Sequence, residues 1–134
     1  MKHIFSIAAS CLFALSVEAA TLGEEDRIEI NRLNATDFEV IEGRNFGAAE
    51  FWCGAATFVE RRNQLSELTQ IYVKRPEGPS LTARGQDGVV FTTDAAGLPR
   101  VGQTYSVTVD QPGASLKSVQ ARRFCRDAFT RSTK

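Results

Sequence analysis

Two cysteines, Cys53 and Cys125, constrain this 134-residue chain more than any other feature. A third, Cys11, lies inside an opening segment that reads as an export signal. Lys2 supplies the positive start, Ile4–Val17 is apolar apart from serines and Cys11, and Val17-Glu18-Ala19 has the small or branched residues of a cleavage site. This fourteen-residue stretch falls short of the roughly 20 residues of a spanning helix, so no transmembrane segment is expected after cleavage. The expected organisation is a signal peptide over residues 1–19 and one domain over residues 20–134. Cys11 sits mid-stretch, which argues against a lipid-modified cysteine. Outside the cytosol thiols oxidise, so the two remaining cysteines, 72 positions apart, are most simply one bridge. In the chain-entropy description such a closure is worth roughly 4 kcal/mol.

Removal of the signal also removes the only histidine, His3. Serine and cysteine nucleophiles then lose their usual base, and no His-containing zinc site can be built. Two cysteines exclude Cys₃ and Cys₄ zinc sites, no Cys-x-x-Cys occurs, and no glycine pattern matches a phosphate loop. No cofactor and no metal are expected. Formal charge is zero overall, which argues against a nucleic-acid partner. Along the chain it divides: residues 20–60 carry nine acids against Arg27, Arg32 and Arg44, while residues 61–134 carry twelve bases against six acids.

Apolar periodicity sets the elements. Residues 27–42 read as two strands, or one interrupted at Asn34-Ala35-Thr36-Asp37. Ala48–Arg62 reads as a helix whose Phe51, Trp52, Ala55, Phe58 and Val59 form one stripe, with Asn63 suited to a left-handed terminus. Phe51-Trp52 could stack on a ligand, but its place on that stripe favours core. Gln70–Lys74 is a strand stopped by Arg75-Pro76. Val89–Thr93 and Thr104–Val109 follow, then a terminal helix from Leu116 to about Phe129, capped by Ser115 and turning Val119, Ala121, Phe124, Cys125 and Ala128 inward. The predicted fold is α+β: a small antiparallel sheet with two helices packed on one face, the helices joined by a Cys53–Cys125 disulfide.

Function is less legible. The acids Asp26, Glu29, Asp37, Glu39 and Glu42 lack the spacing of a calcium loop and read as solvated strand faces. Two polar segments are candidate binding surfaces. One is Arg75–Gly88, containing Arg75 and Arg84, longer than a hairpin requires. The other is the terminal helix, where Arg122, Arg123 and Arg126 fall within about 100° of one another, with Arg131 and Lys134 beyond, a stripe suited to an acidic envelope protein or an anionic surface. Asn34-Ala35-Thr36 matches a glycosylation sequon, relevant only in a eukaryotic secretory route.

Three stretches, Glu50-Phe51-Trp52-Cys53-Gly54-Ala55-Ala56, Gln70-Ile71-Tyr72-Val73 running into Gly78-Pro79-Ser80, and Ser118-Val119-Gln120-Ala121-Arg122-Arg123-Phe124-Cys125, together resemble a group of small exported proteins of Gram-negative bacteria. The resemblance implies a periplasmic or secreted setting and a shared architecture, and brings no activity or site residues. The expected role is a non-catalytic periplasmic or secreted binding module. Two alternatives stand beside it: a small carboxylate-dependent hydrolase of cell-wall or surface glycan, which needs no histidine, and an envelope-structural protein.

Overall fold

The computed structural model describes residues 27–101 and 107–130, the last four by backbone path alone. The signal segment with His3 and Cys11, residues 104–106 of the strand expected at 104–109, and Arg131 and Lys134 lie outside the described residues. The elements run β1 (Ile30–Arg32), β2 (Asp37–Ile41), α1 (Ala48–Thr57), a π-helical turn (Phe58–Arg62), β3 (Gln70–Pro79), β4 (Asp87–Thr92), β5 (Ser115–Lys117) and α2 (Ser118–Thr130). The strands form one antiparallel sheet in the order β1-β2-β4-β3-β5. The fold is therefore α+β, as the apolar periodicity implied.

β1 and β2 are separate strands because Asn34 builds a turn between them. Its Oδ1 accepts the backbone N–H of Thr36 and of Asp37 at 2.9 and 2.8 Å, turning the chain within four residues. On one face of the sheet, Phe38 and Val40 of β2 neighbour Phe91 and Val89 of β4, with Ile71 and Val73 of β3 continuing the layer. Helix α1 lies over them. Trp52 is 1 % exposed, sits 5.0 Å from Phe91 between ring centres, and donates its indole N–H to Thr108 O. Phe51 is fully buried, so the aromatic pair is core. Phe58 stacks on Phe38 at 4.2 Å.

Four boundaries differ from the periodicity reading. The helix from Ala48 widens at Phe58: Asn63 N–H reaches back five residues to Phe58 O. Asn63 stays right-handed, and the left-handed residue is Gln64, at φ 52°. β3 runs through Pro76 to Pro79 because register shifts on either side of Arg75 excuse the proline from the ladder. Ser115 does not cap α2. It lies in β5, paired to Tyr72, and the helix starts at Ser118 with Gln120 Oε1 accepting the N–H of Lys117.

The bridge Cys53–Cys125 joins α1 to α2 with Cα atoms 4.7 Å apart. Cys53 and Ala121 are fully buried, and Leu116, Phe124 and Cys125 pack against the same core. α1 approaches the sheet at Gly54, where an added Cβ would lie 2.8 Å from Val40 Cγ1 and 3.2 Å from Ile28 Cγ2. Gly54→Ala is therefore expected to destabilise the fold by about 1–3 kcal/mol, since overpacking outweighs the roughly 1 kcal/mol gain in helix propensity. Equilibrium urea unfolding measures the balance, and a stabilised variant would refute the close approach.

Candidate functional site

The opposite face of the sheet holds the largest departure from the sequence reading. Asp37 and Glu39, expected on solvated strand faces, are 5 % and 1 % exposed. The physical reason is the connection between β3 and β4. With β3 extended to Pro79 and β4 starting at Asp87, the expected Arg75–Gly88 loop shrinks to residues 80–86. That loop folds back over β2. Glu39 accepts Ser80 Oγ at 2.8 Å, the backbone N–H groups of Leu81 and Thr82 at 2.9 and 3.1 Å, and Thr82 Oγ1 at 2.6 Å. Thr82 Oγ1 in turn accepts Asn31 Nδ2. Burial alone would raise the Glu39 pKa, but these four donors hold it below the usual carboxylate range.

Asp37 follows the same rule with a cation added. Burial opposes its charge, and Lys74 Nζ at 2.5 Å together with Thr92, Asn34 and Thr36 more than offsets this, leaving it ionised far into acid. Both carboxylates are consumed by structural bonds. Neither the cation beside Asp37 nor the returning loop that seals Glu39 was visible in the sequence.

The candidate recognition site lies between the helices. A cleft of about 300 Å³ is lined by Ala56, Thr57, Glu60, Arg61, Arg122 and Cys125. Its floor is small and apolar beside the disulfide, while its charged groups come from both helical segments. Glu60, at the π turn, accepts Ser118 Oγ at 2.7 Å and Arg122 Nη1 at 2.5 Å. Arg122 also reaches Glu67 at 3.3 Å. Of the stripe, Arg122 is thus held at the boundary between helices, and Arg123 and Arg126 are exposed on the outer side of α2. Glu60 and Arg61, absent from the sequence reading as site residues, line the cleft from the π turn.

Arg75 and Arg84 do not form one surface. Arg84 is exposed at the tip of the hairpin loop, whereas Arg75 is half-buried on β3 opposite Val90, its Nη1 buried with no hydrogen-bond partner among the described residues. A second acidic group gathers where β2, β3 and β4 end. Glu77 is hydrogen-bonded to Glu42 and faces the charges of Asp110 and Asp87; burial first, then these like charges, raises its pKa. Among the described residues no three acids, cysteines or histidines are placed to hold a metal ion, and no helix is long and apolar enough to cross a membrane. The chain matches no protein-family model, no curated protein and no solved structure.

Two substitutions separate the acidic sites. Glu39→Gln is expected to cost about 2–3 kcal/mol near neutral pH, because the amide replaces an oxygen that accepts donors with an N–H₂ that clashes with them. The folded-state pKa of Glu39 is depressed, so its contribution is present above the unfolded value and fades as pH falls; the gap between variant and parent closes on acidification. Glu77 has the opposite sign. Its raised pKa makes the protonated form the favoured one, so stability is full below the ordinary value of 4.5 and declines as pH rises. Glu77→Gln is expected to raise the melting temperature at pH 7 and to leave it unchanged at pH 4. An unaltered melting temperature at pH 7 would rule out the like-charge cluster.

Proposed function

We propose that this chain is an exported binding module that captures an acidic envelope protein on the outer face of α2 and the interhelical cleft beside it. One observation carries the reading: Arg61 lines the interhelical cleft beside the disulfide, and the exposed Arg123 and Arg126 extend positive charge along α2 beyond Arg122, which is itself held by Glu60 and Glu67. Arginine, with Trp and Tyr, is one of the residue types enriched at the hot spots of protein interfaces. The competing surface has a duty already, since the 80–86 loop closes over Glu39.

Periplasmic or secreted placement is part of this proposal. The opening segment has the order of an export signal, the bridge is compatible with an oxidising compartment, and the resemblance to small exported proteins points the same way. The hydrolase reading draws on one specific feature, the hydrogen-bonded Glu42–Glu77 pair. Carboxyl groups in direct contact are closer than the roughly 5 Å or more that glycoside hydrolysis uses, which favours the binding reading.

The test is capture of partners from a native envelope extract by the oxidised protein, with identification by mass spectrometry. Arg61→Glu/Arg123→Glu/Arg126→Glu, a variant that spares the Arg122–Glu60 pair, is expected to reduce capture at least tenfold, and the parent's capture to weaken with added salt. Equal capture by parent and variant would rule out the helix surface. Binding of the parent to anionic vesicles alone, with no protein captured, would replace the acidic protein with a membrane surface.

A further inference from the structure

Among the described residues β1 is an edge strand of the sheet, and it carries a feature independent of the cleft. Ile41 N–H donates to Glu29 O at 2.9 Å, so Glu29 and Asn31 direct their backbone groups towards β2. By alternation, Ile28, Ile30 and Arg32 direct theirs outward, away from the sheet. Two of those outward carbonyls are occupied by one side chain. Arg62, the last residue of the π turn, donates Nη2 to Ile28 O and Nη1 to Ile30 O, each at 3.2 Å. Arg32, at the end of the same strand, is bound to Asn63 Oδ1 and lies over the Phe58 ring at 5.2 Å.

An edge strand with free backbone groups is a template for another strand, and natural sheets block such edges with charged side chains. We infer that the β1 edge is a strand-pairing surface for a second copy of this chain, and that Arg62 holds it shut. The fork of its guanidinium takes two acceptors two residues apart, the same two that an incoming antiparallel strand would use. The edge is also self-complementary. An antiparallel pairing of two β1 strands about a two-fold axis at Ile30 sets Ile30 against Ile30 and Ile28 against Arg32. On the other face Glu29 then meets Asn31, so no like charges oppose one another. Arg62 is exposed and contributes no apolar core surface, so its replacement frees the edge without emptying the interior.

The expected behaviour is specific. The parent stays single-copy across concentration in size-exclusion chromatography with light scattering. Arg62→Ala and Arg62→Met shift to a doubled mass as concentration rises, the second variant keeping a long apolar stem in case the first is poorly folded. Arg62→Lys, a point donor able to hold only one carbonyl well, falls between. Hydrogen exchange localises the contact: the outward amides of Ile30 and Arg32 gain protection in the paired variants relative to the parent. Single-copy behaviour of both folded variants at every concentration overturns the inference. So does a doubled mass without protection at Ile30 and Arg32, which places the contact elsewhere, and so does a parent already paired through β1.

Discussion

The packing of α2 against α1 through the Cys53–Cys125 bridge is the constraint on which the candidate site depends. Among its described side chains, α2 fully buries only Ser118 and Ala121, while Phe124 and Cys125 are partly covered. Its mean hydropathy is low and its charge high, so hydrophobic burial alone holds it weakly. The bridge supplies the missing restraint by tying α2 to α1 at Cys125. Cys53, fully buried on α1, fixes where Cys125 must sit, and hence how Arg122 meets Glu60 and Glu67. The cleft is a by-product of that placement, bounded by Cys125 itself on one side and by the π turn on another.

The second face of the sheet is organised by electrostatics instead. Two carboxylates of β2, on the face away from α1, are kept charged in a place where burial opposes charge. Each is matched by donors from a different part of the chain: Glu39 by the 80–86 loop, Asp37 by Lys74 of β3 and the Asn34 turn. A buried carboxylate with its donors in place adds modest stability but strongly penalises any arrangement in which the donors are displaced. Glu39 therefore dictates the path of the β3–β4 hairpin, and the apparent surplus of that loop is the length needed to reach back across β4 to β2.

The main elements were legible in the residues because each rests on a local pattern. The Phe51–Val59 stripe, the Asn34 turn and the Val89-Val90-Phe91 run all appear where periodicity places them, and the pairing of cysteines followed from their number. What escaped the reading depends on contacts distant in sequence. Pro76 stops a strand in isolation but is tolerated here by the bulges around Arg75, which only β4 reveals. Asp37 and Glu39 read as solvated strand faces, because their burial needs Lys74 and Leu81, 37 and 42 residues away. The arginine stripe of α2 was visible as a helical spacing; that Arg122 is spent on Glu60, 62 residues earlier, was not.

The π turn explains why a chain this short can present several distinct surfaces. Widening by one residue at Phe58–Arg62 keeps Phe58 and Val59 in the core while turning the next three side chains outward onto separate targets. Glu60 meets Ser118 and Arg122 of α2, Arg61 lines the cleft, and Arg62 covers the carbonyls of β1. One local insertion thus ties the last helix, the recognition cleft and the sheet edge to the same five residues.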